Sequence, residues 1–199
     1  PELIEIRRGE SGIRAWAAEP GEYYHSFDGS YGGLWRRNGR PPQLLAGVGF
    51  SAQGKFEGSY YRRTAESHAP DLAWMFEGIE DQEILGDFGF SGGGAAGFEL
   101  DRADVRLGTP EEVRVVASSE NHTSSFVLVP EEMLTHITNW PGEEEQQKLI
   151  RSDIVYFRTP SGGEVFSTGS ITFCGSLPWN NFDNNISRLL ENVIRRFLQ

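Results

Sequence analysis

Cysteine is almost missing from this chain: Cys174 is the only one in 199 residues. A single thiol excludes an internal disulfide and a zinc cluster built from the chain's own cysteines, and it suits a reducing compartment. Basic residues are also scarce, 18 Lys and Arg against 29 Asp and Glu, for a net charge of −11. They come in scattered pairs, Arg7-Arg8, Arg36-Arg37, Arg62-Arg63 and Arg195-Arg196. Nucleic acid or an anionic membrane surface would need a massed basic face, so neither is expected as a partner. No apolar run approaches the ~20 residues of a membrane-spanning helix, and no signal-peptide apolar core opens the chain. These absences point to a soluble, cytoplasmic protein. The four histidines, His25, His68, His122 and His136, lack His-x-x-x-His spacing, and both the Gly-x-Ser-x-Gly elbow and the Gly-Lys-Ser/Thr of a phosphate loop are missing.

The length suits one domain over residues 1–199 with a core of real size. The Pro1 start, running straight into Leu3-Ile-Glu-Ile6, reads as the cut end of a longer polypeptide. Period-2 alternation over Leu3–Arg8 and Ile13–Ala17, around a Gly9–Gly12 turn, predicts a hairpin. Residues 20–63 are rich in glycine and aromatics and carry no helical period; Leu44–Phe50 reads as a strand in which Gly47 and Gly49 permit close backbone approach. Further strands are expected at Leu72–Phe76, Val113–Ala117, Phe126–Val129 and Gly169–Ser176, with a short helix opening at Pro130. Ile154–Arg158 and Glu164–Thr168 flank a Pro-Ser-Gly-Gly turn and predict a second hairpin. Glu143–Gln147 reads as a solvated charged segment. From Asn184 to Leu198, Ile186, Leu189, Leu190, Val193, Ile194 and Phe197 recur at spacings of three and four, an amphipathic helix capped by Asp183 or Asn184. The resulting fold class is mixed α+β, with a mixed sheet, many loops and a closing C-terminal helix.

The densest signal is Gly86–Arg102, where glycines crowd before a Glu-Leu-Asp-Arg exit. Such a cluster marks a tightly folded loop, and Glu99 stands just past it as a candidate catalytic carboxylate or a solvated loop residue. Gly92-x-Gly94-x-x-Gly97 with Glu120 downstream matches the dinucleotide-binding spacing. Its context is poor, because Ile84–Phe90 is not a clean buried strand and Asp101 and Asp104 interrupt any following helix. His122 follows the Val113–Ala117 strand in a polar run beside Glu120, where a histidine serves as acid or base or simply bonds to backbone. Cys174 falls in an expected buried strand, where it packs as a small inert side chain.

A set of phrases in order resembles the C-terminal part of the large (β) subunit of the N,N-dimethylformamidase family. They are Tyr31-Gly-Gly-Leu-Trp-Arg36, Gly39-Arg-Pro-Pro-Gln43, Gly47-Val-Gly-Phe50, Ser59-Tyr-Tyr-Arg-Arg63, Gly92-Gly-Gly-Ala-Ala-Gly97 with Glu99-Leu-Asp-Arg102, Ala117-Ser-Ser-Glu120, and Gly169–Ser176 leading to Asp183-Asn-Asn185. The resemblance implies an amidohydrolase that splits small N-substituted formamides into formate and an amine. It implies a longer polypeptide with a class I glutamine amidotransferase-like region and an iron held by two tyrosines and a glutamate upstream of the matched part, so that this stretch alone would be inactive and hold no metal. The implied partners are the upstream domain, a small subunit, further copies of the chain and the amide substrate. A family glutamate acting in proton transfer or water positioning matches Glu99. Ser30 and Asn121 depart from the family pattern. The alternative is a non-catalytic binding or assembly module whose tyrosines and tryptophans meet a protein or carbohydrate.

Overall fold

The computed structural model describes residues 28–29, 35–129 and 142–199. The N-terminal hairpin, the helix expected at Pro130, His25 and His136 lie outside them. Through the middle of the sheet runs β1 (Gly49–Arg63), 15 residues long. Its first two-thirds pair with β2 (Ala96–Arg102) and its last four residues with β3 (Arg114–Glu120). β4 (Val127–Leu128) joins β1 on the flank away from β2, at Ala52 and Gln53. β5 (Asp153–Arg158) and β6 (Glu164–Ser167) complete the order β2-β1-β3-β5-β6. Every ladder among the described residues is antiparallel. The expected mixed sheet is therefore corrected to a curled antiparallel one, since no strand pair is joined by the parallel crossover a mixed sheet needs.

The helices are short except the last. α1 (Pro42–Ala46) ends at Gly47, whose φ is 77°. α2 (Glu143–Leu149) occupies the charged segment, with Leu149 its buried residue. α3 (Phe173–Ser176) stands where a strand was expected, because Gly169 turns the chain at φ 67°. Cys174 is exposed as a result. Leu72–Phe76 is likewise no strand but part of a 3₁₀ helix, Pro70–Phe76, with Leu72, Met75 and Phe76 buried. That three-and-four spacing is helical, and a short apolar run conceals it. α4 (Asn185–Phe197) is the expected amphipathic helix: the Asn184 side chain caps it by accepting the Ser187 N–H, and Ile186, Leu189 and Val193 are buried.

Three apolar clusters among the described residues hold the sheet, the smallest formed by Val48, Ala103 and Val155. In one, α4 and the 3₁₀ helix cover Tyr61, Val116, Ala117 and Ile154. In another, Ala52, Leu100 and Leu128 of adjacent strands pack with Phe126, Leu149 and Ile150. No helix among the described residues is long and apolar enough to cross a membrane.

Candidate functional site

Strand register decides where Glu99 faces. Ala52 pairs with Leu100 on one side and with Leu128 on the other, and all three are buried. One residue along, Gln53 pairs with Glu99 and with Val127. Successive side chains on a strand point to opposite faces, so Gln53, Glu99 and Val127 form a row on the face away from that core. With strands spaced at about 4.8 Å, the row spans roughly 10 Å. Val127 is 60% exposed, so this face is open. Glu99 is only partly buried, and its side chain makes no hydrogen bond or ion pair with another described residue. It is thus a residue of β2 rather than of the glycine loop.

Immediately before Glu99 the ladder breaks. Pairing stops at Gln53↔Glu99 and resumes at Gly58↔Gly97, so Gly54, Lys55, Phe56 and Glu57 stand against Phe98 alone. Phe98 has φ 60°, a left-handed conformation that costs a non-glycine residue about 1–3 kcal/mol and clusters at functional sites. Its ring meets the exposed Phe56 edge-on, centroids 5.5 Å apart. The second half of the glycine loop lies on this bulge. A Cβ on Gly97 would overlap the Glu57 carbonyl oxygen, and Gly92 and Gly94 also lie against the backbone of residues 57–59. These glycines serve close approach of two backbone segments, not a phosphate. β2 follows them where a dinucleotide loop requires a helix, and Glu120 is bonded to Arg62 at 2.8 Å, so the dinucleotide reading is set aside.

His122 lies on the other flank of β1, in the turn between β3 and β4, and β1 stands between it and Glu99. Asn121, left-handed at φ 60°, turns the chain there. The His122 Nε2 is 2.6 Å from Ser119 Oγ, which also accepts the Ser152 N–H at 2.7 Å. With one proton and two lone pairs, Ser119 Oγ can take the Ser152 N–H and still bond Nε2 in either tautomer of the ring. Nδ1 is buried without a partner among the described residues, and the ring lies on Phe126 with centroids 4.7 Å apart. Burial pushes the imidazole pKa down to about 4, against a weaker opposing pull from Glu57. Neutral and enclosed, His122 ties its turn to β3. The chain of contacts continues inward from Ser152 Oγ to the Tyr61 hydroxyl, 2.8 Å, which donates to the Thr168 carbonyl at 2.7 Å. Burial holds the Tyr61 phenol far above its ordinary pKa, so it stays neutral.

Glu57 bridges the two flanks. The hydroxyls of Ser125 and Thr123 both donate to its Oε1 and lower its pKa, Ser125 foremost. Neither Glu57 nor these hydroxyls are evident in a pattern search; the signal in the sequence is a carboxylate framed by Gly54 and Gly58 in a stretch with no periodicity. The first half of the glycine loop lies elsewhere. Phe88 and Phe90 join Glu83, Trp179, Asn180, Asp183, Asn184 and Asn185 around an open cleft of about 500 Å³. Asn180 on its wall begins a run of three left-handed residues, Asn180, Asn181 and Phe182. Glu99 and His122 do not line it. Among the described residues no group of three or more His, Cys, Asp or Glu is placed to hold a metal.

Residues 1–185 match the family described as N,N-dimethylformamidase beta subunit-like, C-terminal. The whole chain is 41% identical to the N,N-dimethylformamidase beta subunit of Paracoccus aminophilus and 40% identical to that of an Alcaligenes species. In each case it spans 26% of the relative's length.

Proposed function

Because the chain belongs to the N,N-dimethylformamidase beta subunit-like C-terminal family, we propose that it is the C-terminal part of an amidohydrolase and brings Glu99 to the amide bond of a small N-substituted formamide. The observation that carries this reading is a carboxylate on an open sheet face, free of described partners, next to the left-handed Phe98. Hydrolysis adds water to the amide carbon, breaks the C–N bond and leaves formate and an amine. Glu99 takes the proton from the attacking water and delivers it to the departing nitrogen, a task in which a placed carboxylate contributes typically 10²–10⁴-fold. His122 holds the neighbouring turn in place.

The rest of the active site belongs to other sequence. The iron that the resemblance implies would be held upstream by two tyrosines and a glutamate, in a region similar to class I glutamine amidotransferases. The working assembly joins this chain to that upstream domain, with a small subunit and further copies as candidate partners, in the cytoplasm. The substrate need not be dimethylformamide itself, for Ser30 and Asn121 depart from the family pattern.

The test is Glu99→Gln in the polypeptide that includes the upstream region, with formate release, metal content and thermal unfolding measured together. The expected result is a loss of roughly 10²-fold or more in kcat with metal and folding retained. Full activity in a folded, metal-loaded variant defeats the assignment.

One observation favours a second reading, a binding or assembly module. The cleft beside α4 exposes Phe90 at 70%, and Trp179 and Phe182 are also open to solvent. Iron analysis of the longer polypeptide separates the two, since a binding module carries no stoichiometric iron.

A further inference from the structure

Four residues opposite one leave β1 without ladder bonds just where Glu99's position is set, so something other than strand pairing must hold the bulge. The 122–126 turn grips it at both ends. At the start, Gly54 leaves room for the Phe126 ring, which a Cβ there would approach to 2.7 Å. At the far end, Thr123 and Ser125 bind the Glu57 carboxylate, and their own hydroxyls lie 2.9 Å apart. The turn is itself fastened to β3 through His122 and Ser119. From the opposite side the Gly58 N–H donates to the Gly92 carbonyl at 2.7 Å, pressing the glycine loop onto the bulge. Phe98, the single residue facing the bulge, is left-handed, and its twist directs the next side chain, Glu99.

We propose that Glu57 is the positioning residue of Glu99: its carboxylate pins the bulge to Thr123 and Ser125, and the pinned bulge keeps Phe98 left-handed and Glu99 on the open face. This rests on the catalytic reading of Glu99. The role assigned to Glu57 is to hold the bulge, its Oε1 accepting two hydroxyl protons from the 122–126 turn.

The experiment compares Glu57→Ala, Glu57→Gln, Glu99→Gln and the Glu57→Ala/Glu99→Gln pair in the polypeptide with its upstream region. Each is assayed for hydrolysis of N,N-dimethylformamide and for amide hydrogen exchange over residues 92–99. Glu57→Ala should lower kcat roughly ten- to a hundredfold with KM within about twofold, as expected for a misplaced catalytic group. Exchange over 92–99 should accelerate. Glu57→Gln keeps an acceptor oxygen and should restore part of both, and adding Glu57→Ala to Glu99→Gln should cost nothing further. Should Glu57→Ala fail to fold, Thr123→Val with Ser125→Ala removes the same two hydrogen bonds from the exposed side and should reproduce the effect. An unchanged kcat, unchanged exchange, or an equal fold-loss with and without Glu99 overturns the proposal. The two failures are distinct: an active Glu99→Gln removes the catalytic reading and the positioning role with it, whereas an inactive Glu99→Gln beside a fully active Glu57→Ala removes the positioning role alone.

Discussion

His122 shows how burial converts a reactive residue type into a strut. Its pKa is near 4 in the folded chain and 6.5 when free, so between those values the unfolded chain binds more protons than the folded one. Stability therefore rises with pH across that window, and the contribution is lost as pH falls from 6.5 towards 4. The full loss amounts to up to about 3 kcal/mol. Urea unfolding at pH 7, 5.5 and 4.5 should show a shallower pH slope for His122→Gln than for the wild type; identical slopes would contradict the burial argument. The type and place of His122 and Glu99 are legible in the sequence, since one follows a polar strand end and the other an acidic exit from glycines. Their surroundings are not. Whether a histidine is buried depends on Phe126 and Ser119 arriving around it, and Cys174, expected inside, is outside because Gly169 turns the chain.

Among the elements, α4 and β1 stand at opposite ends of legibility. The helix announces itself because Ile186, Leu189 and Val193 form a stripe with a local period, and the cap at Asn184 is a local hydrogen bond. Leu189→Ala, at a fully buried position, should cost about 2–5 kcal/mol in denaturant unfolding, against about 1 kcal/mol or less for Ile194→Ala on the half-exposed side. Similar losses at both sites would mean that the helix packs by another face. β1 gives no such notice. Its glycines interrupt alternation for reasons outside the strand: Gly54 yields to the Phe126 ring and Gly58 to the glycine loop. The four-residue bulge then shifts the register, so no single period covers the strand. The hairpin of β5 and β6 was readable because its turn residues are adjacent in sequence.

At the scale of the whole molecule, the open row of Gln53, Glu99 and Val127 faces away from the core of Ala52, Leu100 and Leu128, and the aromatic cleft lies beside α4. The chain spans 26% of the length of the two relatives. The 199-residue chain assayed alone, with iron supplied, should release no formate from N,N-dimethylformamide above the blank; turnover there would place the whole site within this stretch. Composition and local pattern are enough to establish an acidic α+β chain with a capped C-terminal helix, a hairpin, a strand near Val113–Ala117 that the structure places at Arg114–Glu120 and buries only in part, and a glycine-rich approach to Glu99, because each depends on neighbours in the chain. The antiparallel order, the bulge, the left-handed Phe98, the capture of Glu57 by Thr123 and Ser125, and the enclosure of His122 were decided by tertiary structure. The bulge facing Phe98 and the Glu57 contacts join residues some 40 to 70 positions apart, and no local periodicity carries information about which distant backbone a glycine makes room for; Ser119 and Phe126 are near His122 in sequence, but only the folded turn brings them onto its ring.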